Sequence, residues 1–157
     1  MQFPTVNGSN LQRKRVTLPQ DFQGELNLVL IAFQQWQQSQ VDTWIPFARQ
    51  LEATRPALRY YELPTIQRLN ALARTFVNEG MRAGIPDPVA RERTITLYVD
   101  KGAFRAALDL PDEANIFVLL LDRQGRVLWR AEGAFTPDKG ESLAEALRGG
   151  QPPADGQ

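Results

Sequence analysis

The sequence predicts an α/β fold, a three-layer sandwich with a mixed central sheet and an N-terminal hairpin. Three observations carry this. The run Asn27 to Phe33 is apolar without alternation, as a strand covered on both faces must be, and Thr94 to Val99 is expected as a second buried strand. Apolar stripes at helical spacing separate the strand-like runs, which is the alternation that builds a layered α/β domain. Finally, two short apolar runs flank the turn Asp122-Arg123-Gln124-Gly125 and a last helical stripe follows, so the chain closes with a hairpin and a helix.

Taken in order, Leu11 and its neighbours with Val16-Thr17-Leu18 predict the N-terminal hairpin, and the basic run Gln12 to Arg15 is its solvated turn. Pro19 to Gly24 is turn-rich. After the strand ending at Phe33, Ser39 is expected to cap a helix with Asp42 at its third position. Val41, Trp44, Ile45, Ala48 and Leu51 form its inner stripe, and core packing is the ordinary use of Trp44. Leu58 to Leu63 reads as a strand. Pro64-Thr65 is expected to open the longest helix, with Ile66, Leu69, Leu72, Ala73, Phe76, Val77 and Met81 as one stripe ending at Gly84, before Pro86 and Pro88. Asp100 is expected to cap a short helix that turns Phe104, Ala107 and Leu108 inward. Ile116 to Leu121 and Arg126 to Arg130 are the arms of the closing hairpin. Thr136-Pro137 then starts the final helix through Leu143, Ala144 and Leu147.

Composition narrows the chemistry. The 157 residues suit one domain, expected over 1-150, with a flexible tail at 151-157. Hydrophobic residues at 43% and charged ones at 23% are ordinary for a soluble globular chain. Lys and Arg number 18, as do Asp and Glu, so no net field draws in nucleic acid or anionic lipid, and no nucleic-acid partner is expected. There is no cysteine and no histidine. Disulfide exchange, thiol peroxidase chemistry, Cys- or His-based zinc sites and a Ser-His-Asp triad are therefore excluded. Carboxylates are what remain for acid–base work or for a hard cation.

Asp109, Asp112 and Glu113 lie close together in LDLPDEAN. Calcium loops need ligands at nearly every second position, however, and a proline interrupts this stretch, so no metal is expected there. Asp100 and Asp122 read as cap and turn residues. No apolar run reaches the ~20 residues of a membrane helix, and Met1-Gln2-Phe3-Pro4 lacks the pattern of a signal peptide. The expectation is a protein without an integral membrane segment, located in the cytoplasm.

Several spacings match a known scaffold. Phe33 stands where thioredoxin-like redoxins end a strand in Phe, and Pro46 stands where they carry a helix proline; Gln38 and Val41 occupy the positions of the two cysteines. Ile95 to Asp100 and Leu119 to Gly125 match a strand ending in Asp and a strand closing on a D-x-x-G turn. On these residues the chain resembles redoxin domains of the TlpA and peroxiredoxin-like kind from Phe3-Pro4 to Leu147, which implies a thioredoxin-like fold. The position of the family's cis-proline falls at Ile116, or at Phe117 with the register shifted by one. A cis bond before a residue other than proline costs ~2.5 to 4 kcal/mol, so trans peptides are expected at Asn115-Ile116 and Ile116-Phe117.

A second resemblance rests on Phe3-Pro4 through Leu11, Val41 to Phe47, Gly80-Met81-Arg82 with Ile85-Pro86, and Leu121 to Trp129. These segments are similar to the ATP-ten family of F-type ATPase assembly factors. That resemblance implies a redox-silent assembly chaperone for a membrane subunit of the synthase, one that needs no cofactor.

The candidate binding residues are Trp36, Gln38, Ser39, Gln40, Val41, Ile116 and Arg82. Trp36 to Gln40 surround a helix start whose unpaired N–H groups could receive a carboxylate or a peptide carbonyl, with Trp36 as an aromatic anchor. Arg82, Arg91 and Arg93 flank the two-proline segment 84–89, where surface ion pairs are the commoner use and acidic clients or phosphate the alternative. Two functions remain open. One is a binding or assembly factor with a protein partner, and the other is an enzyme on the same scaffold using carboxylates or arginines on a small substrate. The enzyme would need a pocket with a perturbed Asp or Glu.

Overall fold

The computed structural model describes residues 1–67 and 93–149. Its elements are β1 (Val6–Asn10), β2 (Arg15–Leu18), β3 (Leu26–Ala32), a 3-10 turn (Gln35–Gln37), α1 (Gln38–Thr54), β4 (Leu58–Gln67), β5 (Ile95–Val99), α2 (Lys101–Ala107), β6 (Phe117–Asp122), β7 (Val127–Glu132) and α3 (Pro137–Gly149). The seven strands form one sheet in the order β2-β1-β5-β4-β3-β6-β7. The pairs β3–β4 and β4–β5 are parallel, and the pairs made by the two hairpins and by β3 with β6 are antiparallel, so the sheet is mixed as expected.

Burial on both faces explains the unbroken apolar run of β3. Along β3, Val29 and Ile31 join Phe3, Phe22, Leu97, Phe104 and Leu119 on one side, while Leu28 and Leu30 meet Val41, Trp44, Ala48, Leu143 and Leu147 on the other. Helices α1 and α3 thus cover one face, and α2 with the N-terminal aromatics covers the opposite one. Trp44 is fully buried, as its helical spacing predicts, and its Nε1–H donates to the Gly133 carbonyl at 3.0 Å. In the last turn Gly125 adopts φ +84°, and Asp122 holds the turn by accepting from the N–H groups of Gln124 and Arg126. Asp100 caps α2 by accepting from the Ala103 N–H at 3.1 Å.

Four expectations need correction. Pro64-Thr65 does not open a helix: β4 runs on to Gln67, because the chain changes partner there. Pro64 is the last residue paired with β3, and Thr65 to Gln67 pair instead with Leu97 to Val99 of β5. A proline is tolerated at such a junction because no ladder bond depends on its missing N–H. The rest of the predicted stripe, Leu69 to Met81, lies outside the described residues, as do Gly84, Pro86, Pro88 and the tail 151–157.

Ser39 is not a cap, since the helical path begins earlier, in the 3-10 turn capped by Gln34. Ser39 Oγ–H donates instead to the Trp36 carbonyl at 3.1 Å. Ala107 is exposed, leaving Phe104 and Leu108 as the inner residues of α2. Ile116 precedes β6, and its carbonyl accepts from the Gly133 N–H at 2.8 Å. The peptide bonds on both sides of Ile116 are trans, and among the described residues the cis bond is Leu18-Pro19.

Candidate functional site

At the C-terminal end of β3 the chain turns through Gln34 to Gln37 into α1, beside the 112–116 loop that leads into β6. In the redoxin pattern these two segments would carry the thiols and the substrate-facing proline. Here three glutamine side chains join them. Gln37 is wholly buried; its Oε1 accepts from the N–H groups of Phe33 at 2.8 Å and Gln34 at 3.2 Å, and its Nε2 donates to the Glu113 carbonyl at 2.6 Å. Gln34 Nε2 donates to Glu113 Oε1 at 2.7 Å. Gln40 Nε2 donates to Asn115 Oδ1 at 2.7 Å, while its Oε1 accepts from the Ile116 N–H at 2.9 Å.

A carboxamide has both donors and an acceptor, so one side chain can meet unlike backbone groups on two segments at once. Spacings of three residues put Gln34, Gln37 and Gln40 on one side of the turn and first helical residues. An ion cluster reinforces the join. Lys101 Nζ lies 3.0 Å from Glu113 Oε1 and donates to the Phe33 carbonyl at 3.1 Å, and Arg105 Nε lies 3.5 Å from Glu113 Oε2. Glu113 is therefore a structural hub, and Asp112 beside it turns away to accept from the Ala114 N–H.

The seven sequence-predicted residues divide. Trp36 is 57% exposed, and Gln38 and Ser39 are exposed around it. Gln40 is half-buried and committed to the loop. Val41 and Ile116 are buried in the core, so they support the site from beneath and offer no side-chain surface. Arg82 and Arg91 lie outside the described residues. Arg93 forms an ion pair with Glu52, with Nη2 to Oε1 at 2.7 Å, and its guanidinium lies 5.4 Å from the Tyr60 ring centre, which is the ion-pair use expected of Arg93.

Sequence reasoning missed Glu62. Gln38 Nε2 donates to Glu62 Oε1 at 3.3 Å and to Asp42 Oδ1 at 2.9 Å, which brings two carboxylates to the start of α1. Burial pushes the Glu62 carboxyl above its usual range and the Asp42 charge pushes the same way, against the Gln38 hydrogen bond and Arg49. The pair opposes the anion attraction expected of a helix start. Glu62 alternates with the buried Tyr61 and Leu63 on β4, and nothing in a lone Glu within an apolar strand marks it as part of a site.

No helix among the described residues is long and apolar enough to cross a membrane. Among curated proteins none matches the sequence significantly. Solved structures do match over most of the chain. The thioredoxin domain of a thiol-disulfide oxidoreductase from Bacteroides vulgatus is 16% identical, with a TM-score of 0.58 and coverage of 94% of this chain and 95% of that one. ScoI from Arabidopsis thaliana, a structure described with copper bound, is 10% identical with a TM-score of 0.61, covering 95% and 99%. BsSco, described as a member of the Sco family of cytochrome c oxidase assembly proteins, is 13% identical with a TM-score of 0.60, covering 94% of each. At these identities the likeness establishes the thioredoxin-like fold and nothing finer. The model of the family described as ATP10 protein matches residues 1–149, so this chain belongs to the ATP-ten family.

Proposed function

We propose that the protein is a redox-silent assembly factor that holds a subunit of the F-type ATPase through the surface around Trp36. Family membership supports the assembly role, and a cysteine-free chain supports binding in place of thiol catalysis. The observation that carries the reading is the glutamine bridge. The two segments whose separation would admit a redox partner are joined by Gln34, Gln37 and Gln40, while Trp36 is left exposed on the same turn.

Trp36 is exposed two residues before Gln38, whose side chain bonds Asp42 and Glu62, so this end of α1 suits an apolar client segment that carries a cationic residue, which both an indole face and carboxylates attract. A carboxylate client is disfavoured by the same two groups. Gln38 and Ser39 form the polar rim, and Arg82 remains a proposed contributor through the family resemblance alone. The protein would work in the cytoplasm, at the periphery of the membrane complex. The carboxylate enzyme has one feature in its favour, the perturbed Glu62. That carboxyl is engaged by Gln38, and among the described residues no group of three potential metal ligands accompanies it.

The test removes the gene from the source cell and follows assembled F-type ATPase on native gels. Assembly should fall, return with the wild-type chain, and return incompletely with Trp36→Ala. Undiminished assembly without the gene would refute the proposal.

A further inference from the structure

Strand β7 ends the sheet, and beyond Val127 no described strand pairs with its outer side. The N-terminal segment covers only its beginning: Gln2 bridges Arg126, and the Val127 N–H donates to the Met1 carbonyl at 2.8 Å. The Gly133 N–H points at Ile116, so backbone alternation aims Ala131 toward β6 and aims the N–H and C=O of Arg130 and Glu132 outward. Natural edges are ordinarily blunted by a cover, a proline or repelling charges. This one carries a bulge that leaves Leu128 unpaired with β6, and it keeps two of the three exposed large hydrophobic residues described in the chain, Met1 at 56% and Leu128 at 49%.

The charges on this edge are self-complementary. Arg130 and Glu132 flank Ala131, so a two-fold axis at Ala131 sets each Arg130 opposite the Glu132 of a second copy. An antiparallel pair built this way is isologous, with the outward backbone groups of the same residues bonded to each other. Arg130 donates to the carbonyls of Leu108 at 3.0 Å and Asp109 at 3.0 Å and contacts Met1 Sδ at 3.7 Å, with no carboxylate ion pair among the described residues. Among the described residues, the side-chain contact of Glu132 is with Asn115 Nδ2 at 3.4 Å. We propose that the outer edge of β7, from Leu128 to Glu132, is a homodimer interface in which two copies pair antiparallel across Ala131. It is a different surface from the turn bearing Trp36.

Sedimentation velocity over a concentration series tests the interface, with thermal unfolding to confirm that each variant folds. The wild-type chain should show a concentration-dependent dimer. Arg130→Glu and Glu132→Arg each set like charges opposite one another twice, and each should weaken dimerisation by about tenfold or more. An equal mixture of the two variants restores opposite charges across the axis and should regain the dimer, as should the double exchange R130E/E132R. Because Arg130 also bonds to the carbonyls of Leu108 and Asp109 just after α2, Glu132→Arg and the mixture decide the matter if Arg130→Glu loses stability. A wild-type chain that stays monomeric overturns the proposal, and so does a dimer indifferent to the charge changes or a mixture that fails to re-form it.

Discussion

Replacing Gln37 with alanine tests whether the glutamine bridge holds the site together. The substitution removes three hydrogen bonds at once: those from the Phe33 and Gln34 N–H groups, and the one to the Glu113 carbonyl. The Phe33 bond is buried, so its donor is left without solvent, and a buried unsatisfied backbone group costs about 1 to 3 kcal/mol. The other two are part-buried, where water can replace the lost partner and the net loss is nearer ~0.5 to 1 kcal/mol each. The sum is roughly 3 kcal/mol, or about a hundredfold in the folded-to-unfolded ratio. Urea unfolding of Gln37→Ala beside Gln35→Ala measures it, because Gln35 is exposed and next to it on the same turn. Gln35→Ala should fall within about 0.5 kcal/mol of wild type. If the two variants cost the same, the buried carboxamide does not organise this turn.

Three further outcomes follow from the same geometry. Burial raises the folded-state pKa of Glu62 above its ordinary 4.5, so the folded state binds this proton more tightly than the unfolded chain does. Its contribution is full below the ordinary value and is lost as pH rises through the raised one. Glu62→Gln should therefore raise Tm at neutral pH, with the gain vanishing in acid; a pH-independent effect would deny the perturbation. Trp36→Ala should change stability by less than about 0.5 kcal/mol by urea unfolding, since the ring is mostly in water, while still impairing ATPase assembly. Gly125→Ala should cost at least about 1 kcal/mol by the same measurement, because φ is +84° and an added Cβ would lie 2.6 Å from Pro19 Cγ.

The fold was legible in the sequence wherever one signal dominated. A continuous apolar run located β3, Asp-x-x-Gly located the last hairpin, and helical spacing located Trp44 in the core. Pro64 misled because proline at the first position of a helix and proline at the end of a strand pairing look alike in one dimension; only the switch of partner from β3 to β5 separates them. Ser39 misled because a serine before an apolar stripe signals a cap, whereas here the helical path already begins at Gln35 in the 3-10 turn. In the site, Trp36, expected as an aromatic anchor at the helix start, is exposed. The roles of Gln37, Gln40 and Glu113 did not follow, because their partners lie far along the chain and a glutamine reads equally well as a solvated residue. The thioredoxin-like resemblance placed Ile116 at the site by position, and burial of its side chain reverses that placement while its backbone N–H still meets Gln40.

The central claim is that the turn bearing Trp36 contacts an F-type ATPase subunit during assembly. A photo-crosslinking amino acid at position 36, compared in growing cells with one at Arg123 in the turn at the opposite end of β6, addresses it most directly. The account predicts adducts to a membrane subunit of the ATPase from position 36 and few or none from position 123. Equal adducts from both positions, or none with any ATPase subunit, would contradict it.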